Sequence, residues 1–378
     1  MTGVLDSAQS GAGGDGGLKR SVEVEYWVID EAGRLTAPGS LVEASPGAER
    51  EFVEPLLEVK TTPCRSTAEL RAELYERLGD VLAAAERDGK GLVPLATPLH
   101  GGDIDDLPHE RTRIQSRVVG EEFDCVRHCA GTHIHFEQHP GRAIDQLNAL
   151  TALDPALALI SSSPYFRGSQ VAASARSELY RWRAYESLPQ QGQLWPYAED
   201  RAGWATRLQR RYEEFVTEAM VVGFDRAEVE SLFGPENAVW TPVKLREAFS
   251  TVEWRSPDAA LPSQILSLAD QLSEVITRVG DTPVRIDGEA GAVTDEAIVL
   301  PAFDAVEEHV QTAIREGLSS DSVRSYLAQM GFDVESFDPL SAEFDDATLS
   351  PERARELRLE YADRLRADVE GARAVSAD

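Results

Sequence analysis

Residues 21–30 read S-V-E-V-E-Y-W-V-I-D, with Val22, Val24, Tyr26 and Val28 at every second position and Glu23 and Glu25 between them. Period-two alternation predicts a strand with one buried face and one face carrying two carboxylates. Two such charges, about 7 Å apart by the strand rise, repel one another unless a cation lies between them. The same construction recurs in G-T-H-I-H-F-E (131–137), where His133 and His135 share a face, and in S-T-V-E-W-R-S (250–256), where Glu253 and Arg255 do. A fourth segment, 52–62, offers Glu58 and Lys60 in the same way. Joined in one antiparallel sheet, these segments would place Glu23, Glu25, Glu58, His133, His135, Glu253 and Arg255 on one face. Hard oxygen donors, imidazoles and a guanidinium together suit a divalent metal and a phosphate.

Between these strands the period changes. Leu70, Leu74, Leu78, Val81, Leu82 and Ala85 follow helical spacing after a cap at Ser66 or Thr67 and before Gly89, which predicts an amphipathic helix covering the apolar side of the sheet. Further helices are expected at 143–153, from Asp154-Pro155 onward with Asp154 as N-cap, at 204–222 and at 261–279. A short strand is expected at 92–96, a longer one at 123–136 and a loop at 242–249. From Asp281 acidic loops alternate with helices near 302–316, 320–330 and 351–369. The fold class is therefore α+β, an antiparallel sheet with one catalytic face and helices on the other, followed by a helical C-terminal region. Residues 1–17 are expected to form a flexible tail, 18–280 the catalytic domain, and 281–378 helices packed on it or extending it, with a surface for homo-oligomer assembly.

Composition narrows the partners. The 378 residues carry 37 basic and 66 acidic side chains, for a net charge of −29 and a pI near 4.6. Such a field repels polyphosphate backbones, so nucleic-acid and anionic-membrane binding are not expected. The acidic excess is spread through periodic, Leu- and Val-bearing segments rather than blocked into tails, and only Lys19, Lys60, Lys90 and Lys244 are lysines. We read it as adaptation to concentrated salt, where screening over about 3 Å at 1 M relieves self-repulsion, in preference to disorder. Cys64, Cys125 and Cys129 are a sparse, odd set that suits a reducing cytoplasm. No apolar run approaches the roughly 20 residues of a membrane span, and residues 1–17 lack the pattern of a signal peptide.

Other candidate groups are less patterned. Cys125, His128, Cys129, His133 and His135 invite a zinc reading, but His128 falls on the opposite face from the cysteines, which we read as packed small hydrophobes. Arg111, Arg113 and Arg117 form either a solvated basic face or contacts to a phosphate, with Arg113 the candidate among them. The S-S-S-P-Y-F-R-G loop (161–168) is either a connector or a cradle for a substrate carboxylate, through hydroxyls, backbone N–H groups and Arg167 or Arg176. No nucleophilic elbow and no glycine-rich phosphate loop is present, which leaves metal-assisted chemistry with the phosphate held by metal ions and arginines.

The motifs V-E-V-E-Y-W, L-E-V-K-T-T-P-C, C-A-G-T-H-I-H, A-L-I-S-S-S-P-Y-F-R-G with Arg176 after it, and T-V-E-W-R-S-P-D occur in an order that resembles the type 2 glutamate–cysteine ligase family. These are carboxylate–amine ligases of the glutamine synthetase-like superfamily, here in a salt-loving archaeal form, and the likeness covers about residues 21–272. Two positions depart from the family pattern: Ser21 stands for its usual Gly, and Lys60 for its usual Arg. The resemblance implies ATP- and Mg²⁺- (or Mn²⁺-) dependent joining of glutamate and cysteine through a γ-glutamyl phosphate, as in thiol biosynthesis. It implies Glu23, Glu25, Glu58, His133 and Glu253 as metal ligands, Arg255 on the γ-phosphoryl group, and His135 and Arg176 on substrate. A different amine acceptor, or a non-catalytic halophilic binding protein of the same fold, are the alternatives.

Overall fold

The computed structural model describes residues 17–102, 104–105 and 107–375; the expected tail lies outside these residues except for Gly17. The alternating first segment becomes β1 (Arg20–Asp30), an 11-residue strand at the centre of a seven-stranded sheet. Its companions are β2 (Ala48–Arg50), β3 (Leu56–Lys60), β4 (Lys90–Val93), β5 (Thr132–Glu137), β6 (Val243–Arg246) and β7 (Thr251–Trp254). The order is β2-β3-β1-β5-β7-β6, with β4 pairing the far half of β1 on the edge opposite β3, beyond the end of β5. Every pairing in it is antiparallel.

Alternation decides what each face does. Val22, Val24, Tyr26 and Val28 are buried against Leu70, Leu74, Leu78 and Val81 of α1 (Thr67–Arg87) and Leu268, Leu272 and Ile276 of a helix over Pro262–Arg278. Ser66 caps α1 in a reciprocal capping box with Glu69, which satisfies two otherwise orphaned N–H groups. The opposite face is divided. Glu23 and Glu25 occupy one half, while Trp27 and Ile29, two and four residues on, are sealed with Leu56 and Val93 under Leu357, Tyr361 and Ala362 of the last helix, Pro351–Val375. That helix thus closes one end of the face that carries the carboxylates, and side chains from both sides of residue 280 share the larger core.

Four expectations are corrected. The segment 123–136 is not one strand: Glu121–His128 is a 3-10 helix and the strand begins at Thr132. Gly120, at φ 94°, turns the chain there, and Glu121, Glu122 and Asp124 follow at the start of that helix, where carboxylates suit the exposed N–H groups. The expected loop at 242–249 contains the edge strand β6 followed by a 3-10 turn over Glu247–Phe249, because Val243 and Leu245 alternate with Lys244 and Arg246. Asp154 opens a 3-10 helix, Asp154–Ile160, without capping it; its carboxylate turns inward to Arg181, Trp254 and Ser256. After Asp281 the chain forms a small three-stranded sheet, Val284–Ile286, Ala292–Val293 and Ile298–Leu300, as well as helices. Among the described residues no helix is long and apolar enough to cross a membrane.

Candidate active site

Register sets the polar face out in rows. Glu25 stands opposite Glu58, and Glu23 opposite Lys60 on one side and His133 on the other. His135 stands opposite Glu253, and Glu253 opposite Lys244. The strands therefore bring Glu23, Glu25, Glu58, Lys60, His133, His135 and Arg255 together around a cavity of about 370 Å³, walled above by Tyr180, Tyr185 and Trp240, with Glu253 fully buried beneath it. Tyr180 and Trp240 stack at 4.3 Å between ring centroids, which fixes that wall.

The cavity has an acidic end and a basic end. On the β1/β3 side Glu25, Glu51 and Glu58 can place one oxygen each within 4.8 Å of the others. Burial and mutual repulsion push Glu51 up to about 8 and Glu58 well above the carboxylate range. Burial raises Glu25 too, even though Arg176 and the Gly131 N–H, 2.6 Å away, favour its charge. Lys60, whose ammonium lies 2.6 Å from Glu58 and 3.0 Å from Glu49, favours the charged forms of Glu51 and Glu58 but is outweighed by burial and mutual repulsion. Carboxylates so arranged are stable as anions only beside added positive charge.

In the middle, two further donor groups overlap: Glu23, Glu58 and His133, and Glu23, His135 and Glu253. Burial, with the nearby Arg255 charge, lowers His133 to about 3, so the ring is neutral at pH 7 and able to offer a lone pair. Burial opposes ionisation of Glu23, but the hydrogen bond from His133 and the close approach of the His135 ring outweigh it and hold the carboxylate well below its usual range. His133 Nδ1 lies 3.3 Å from Glu23. His135 Nδ1 reaches Thr251 Oγ1 at 3.2 Å, while its Nε2, 3.6 Å from Glu23 and 3.8 Å from Glu253, is buried with no hydrogen-bond partner among the described residues. A buried orphan nitrogen facing two carboxylates, beside three crowded carboxyl groups, fits divalent cations.

At the basic end Glu253 is fully buried, which would raise its pKa, yet Arg255 and Lys244 hold it well below the usual range. Its oxygens accept from Arg255 Nη1 and, at 2.8 Å, from Arg246 Nη1. Burial and Arg255 push the Lys244 ammonium down to about 7. Lys244 and Arg246 were missed because β6 was read as a loop; the V-K-L-R alternation was the available signal. Glu51 lies just outside a strand among Glu49 and Arg50 and has no such pattern.

Two candidates lie away from the cavity. Arg113 projects outward to Glu110 at 2.8 Å and Glu228 at 2.9 Å, with its guanidinium over Phe224. It belongs to the solvated face of the helix Glu110–Val119. Arg167 pairs with Asp124 on the surface. Arg176 is buried behind the site and does not line it, because its guanidinium donates to the carbonyls of Arg255 and Ser256 at 3.0 and 3.1 Å. His128 is held by Asp124 O and Gly102 O, and Cys125 and Cys129 are buried free thiols in the core.

An antiparallel sheet with one face of clustered carboxylates, imidazoles and arginines and with helices on the other is a glutamine synthetase-like fold. The chain belongs to the family described as glutamate-cysteine ligase family 2, whose model matches residues 22–329. It is similar to the "Putative glutamate--cysteine ligase 2" of Jannaschia sp. (strain CCS1), 28% identical over 269 residues, 67% of this chain and 62% of that protein. It is also similar to the "Putative glutamate--cysteine ligase 2-1" of Paenarthrobacter aurescens (strain TC1), 30% identical over 164 residues, 41% of each chain. The matches thus span less than two thirds of the length of these relatives. Among solved structures, the bifunctional glutathione synthetase from Pasteurella multocida shares the fold with a TM-score of 0.54 at 15% identity, over 92% of this chain and 52% of that one.

Proposed function

We propose that the protein is an ATP- and Mg²⁺-dependent ligase that joins the γ-carboxylate of L-glutamate to the amine of L-cysteine. The observation that carries this reading is the charge division of one cavity: three overlapping donor groups at one end and in the middle, and Arg246, Arg255 and Lys244 at the other. Glu23, Glu25, Glu58, His133 and Glu253, joined by Glu51 and His135, would hold divalent cations, which when bound offset the charge of carboxylate and triphosphate as they meet. Mn²⁺ suits the same donors.

The basic end then receives the triphosphate. A glutamate γ-carboxylate oxygen attacks the γ-phosphorus, the bond to ADP breaks, and ADP leaves with the electron pair. The cysteine amine attacks the resulting acyl phosphate and inorganic phosphate departs, giving γ-glutamylcysteine. Arg255, fixed against Glu253, meets the charge spread over the transferring phosphoryl group. Tyr180, Tyr185 and Trp240 shield the acyl phosphate from water. Lys60 reaches the same cavity from the Glu58 side and is assigned to substrate.

The test is incubation in high KCl with Mg²⁺, ATP and glutamate, varying the amino acid offered and measuring ADP release and product mass. Cysteine should give the fastest ADP release and a γ-glutamylcysteine mass. Faster turnover with another amine would replace cysteine as acceptor, and tight Mg·ATP binding without ADP release under any amino acid would overturn the ligase reading.

A further inference from the structure

Behind the proposed phosphoryl-binding arginine is a buried polar assembly that the reaction scheme does not use. The helix Ala175–Trp182 carries Arg176 and Arg181, only 2% and 5% exposed, and both reach the chain at 254–256. Arg176 Nη1 donates to Arg255 O at 3.0 Å and Ser256 O at 3.1 Å. Arg181 Nη2 donates to Asp154 Oδ2 at 2.7 Å and to Ser256 Oγ at 2.9 Å. Asp154 Oδ1 in turn accepts from Trp254 Nε1 at 2.8 Å and from Ser256 Oγ. Residues 254, 255 and 256 are thus each held from behind, while Arg255 N donates to Pro242 O at 2.8 Å from the side.

Burying a guanidinium costs several kcal/mol before its contacts are counted, and an apolar side chain would fill the same space more cheaply. Arg176 has no carboxylate within ion-pair distance among the described residues, and its Nε is unpartnered. What it does have is two adjacent carbonyls just beyond Trp254, the last paired residue of β7. Bare Gly131 lets it lie there: a Cβ at Gly131 would fall 2.3 Å from its Nη2. Without these contacts the stretch 255–256 would leave the sheet with its carbonyls unsatisfied and its side-chain direction loose.

We infer that Arg176 and the buried Asp154–Arg181 pair are positioning residues that set the direction of the Arg255 guanidinium from behind the sheet. This rests on the ligase reading for its kinetic consequence. A displacement of about 1 Å at a phosphoryl-binding group is worth on the order of 10²-fold in turnover, and it falls on kcat more than on substrate affinity.

The experiment is a double-mutant cycle with Arg176→Met and Arg255→Lys, together with Arg176→Lys as the conservative variant. Arg176→Met should lower kcat by about 10²-fold with KM for ATP and glutamate within about threefold, and Arg176→Lys should recover most of it. In the Arg255→Lys background the same Arg176→Met change should cost less than about threefold, since the group it positions is already lost. Equal losses in both backgrounds would overturn the inference and assign the effect to the charge of Arg176 on Glu25. Amide exchange over 253–258 gives a readout that needs no turnover: it should rise in Arg176→Met and stay unchanged over α1. Unchanged exchange there refutes the positioning role, whereas a wild type without turnover refutes the ligase reading alone. Should Arg176→Met fail to fold, Ser256→Ala, which removes the hydroxyl linking Asp154 and Arg181, enters the same cycle with the same expected non-additivity.

Discussion

The crowded acidic end makes a quantitative statement about stability. A carboxyl such as Glu51 titrates ordinarily near 4.5 and is here pushed up to about 8, so between those pH values the folded metal-free protein holds a proton that the unfolded chain has lost. Stability from this group is therefore complete below about pH 4.5 and is lost as pH rises through 8. The interval of 8 − 4.5 = 3.5 pH units, at about 1.4 kcal/mol each, gives an upper limit of about 5 kcal/mol, which solvent around the half-buried side chain reduces. Glu25 and Glu58 shift in the same direction and steepen the slope. Divalent cations should remove it, adding about 2.7 kcal/mol at a hundredfold excess over Kd. For a chain of this size that is a few degrees of Tm. The assay is thermal unfolding in high KCl at pH 5.5, 7 and 8.5, with EDTA or Mg²⁺, for wild type and Glu51→Gln. In EDTA, Tm should fall with pH and Glu51→Gln should flatten the fall; with Mg²⁺ the wild-type curve should be nearly level. A Tm indifferent to Mg²⁺, or a pH slope that Glu51→Gln leaves unchanged, refutes the reasoning.

Other perturbations separate charge from packing. Glu23→Gln should lower turnover by more than about 10²-fold while leaving Tm nearly unchanged, whereas Glu253→Gln should also cost about 3 kcal/mol, because Arg246 and Arg255 lose a fully buried anionic partner; calorimetry and steady-state kinetics on both check this. Arg255→Lys should reduce kcat by about 10²-fold and raise KM for ATP far less, since a forked donor is replaced by a point charge. Gly131→Ala should destabilise by about 1–3 kcal/mol in urea unfolding, because its methyl meets the Arg176 guanidinium. With a net charge of −29, Tm should rise as KCl increases from 0.1 M towards molar concentrations, and a flat profile would remove the salt-adaptation reading.

Legibility from the sequence followed periodicity. The positions of Glu23, Glu25, Glu58, His133, His135 and Glu253 on one face follow from a pleat that admits only two directions, so strand pairing had merely to bring the segments together. Lys244 and Arg246 obey the same rule and were hidden by two prolines and a short edge strand. Glu51, Tyr180, Tyr185 and Trp240 come from loops and a helix, where no repeat reports which side chain turns toward the cavity. Arg113 and Arg167 were misplaced for a related reason: a guanidinium near a polar loop is satisfied as well by a surface carboxylate as by a substrate, and only tertiary neighbours decide. Asp154 shows the limit of local rules, since its position before proline fits an N-cap while Trp254 and Ser256, distant in sequence, capture its carboxylate.

The central place of β1 bears on biosynthesis. β1 is made before β3, β5 and β7, the strands whose candidate ligands gather around it, and Glu253 emerges long after Glu23 and Glu25. Until then the sheet lacks β7 and β6 beyond β5, and the group formed by Glu23, His135 and Glu253 is incomplete. The last donor group therefore closes late in translation, and a fragment ending before residue 250 should bind Mg²⁺ more weakly than the full chain.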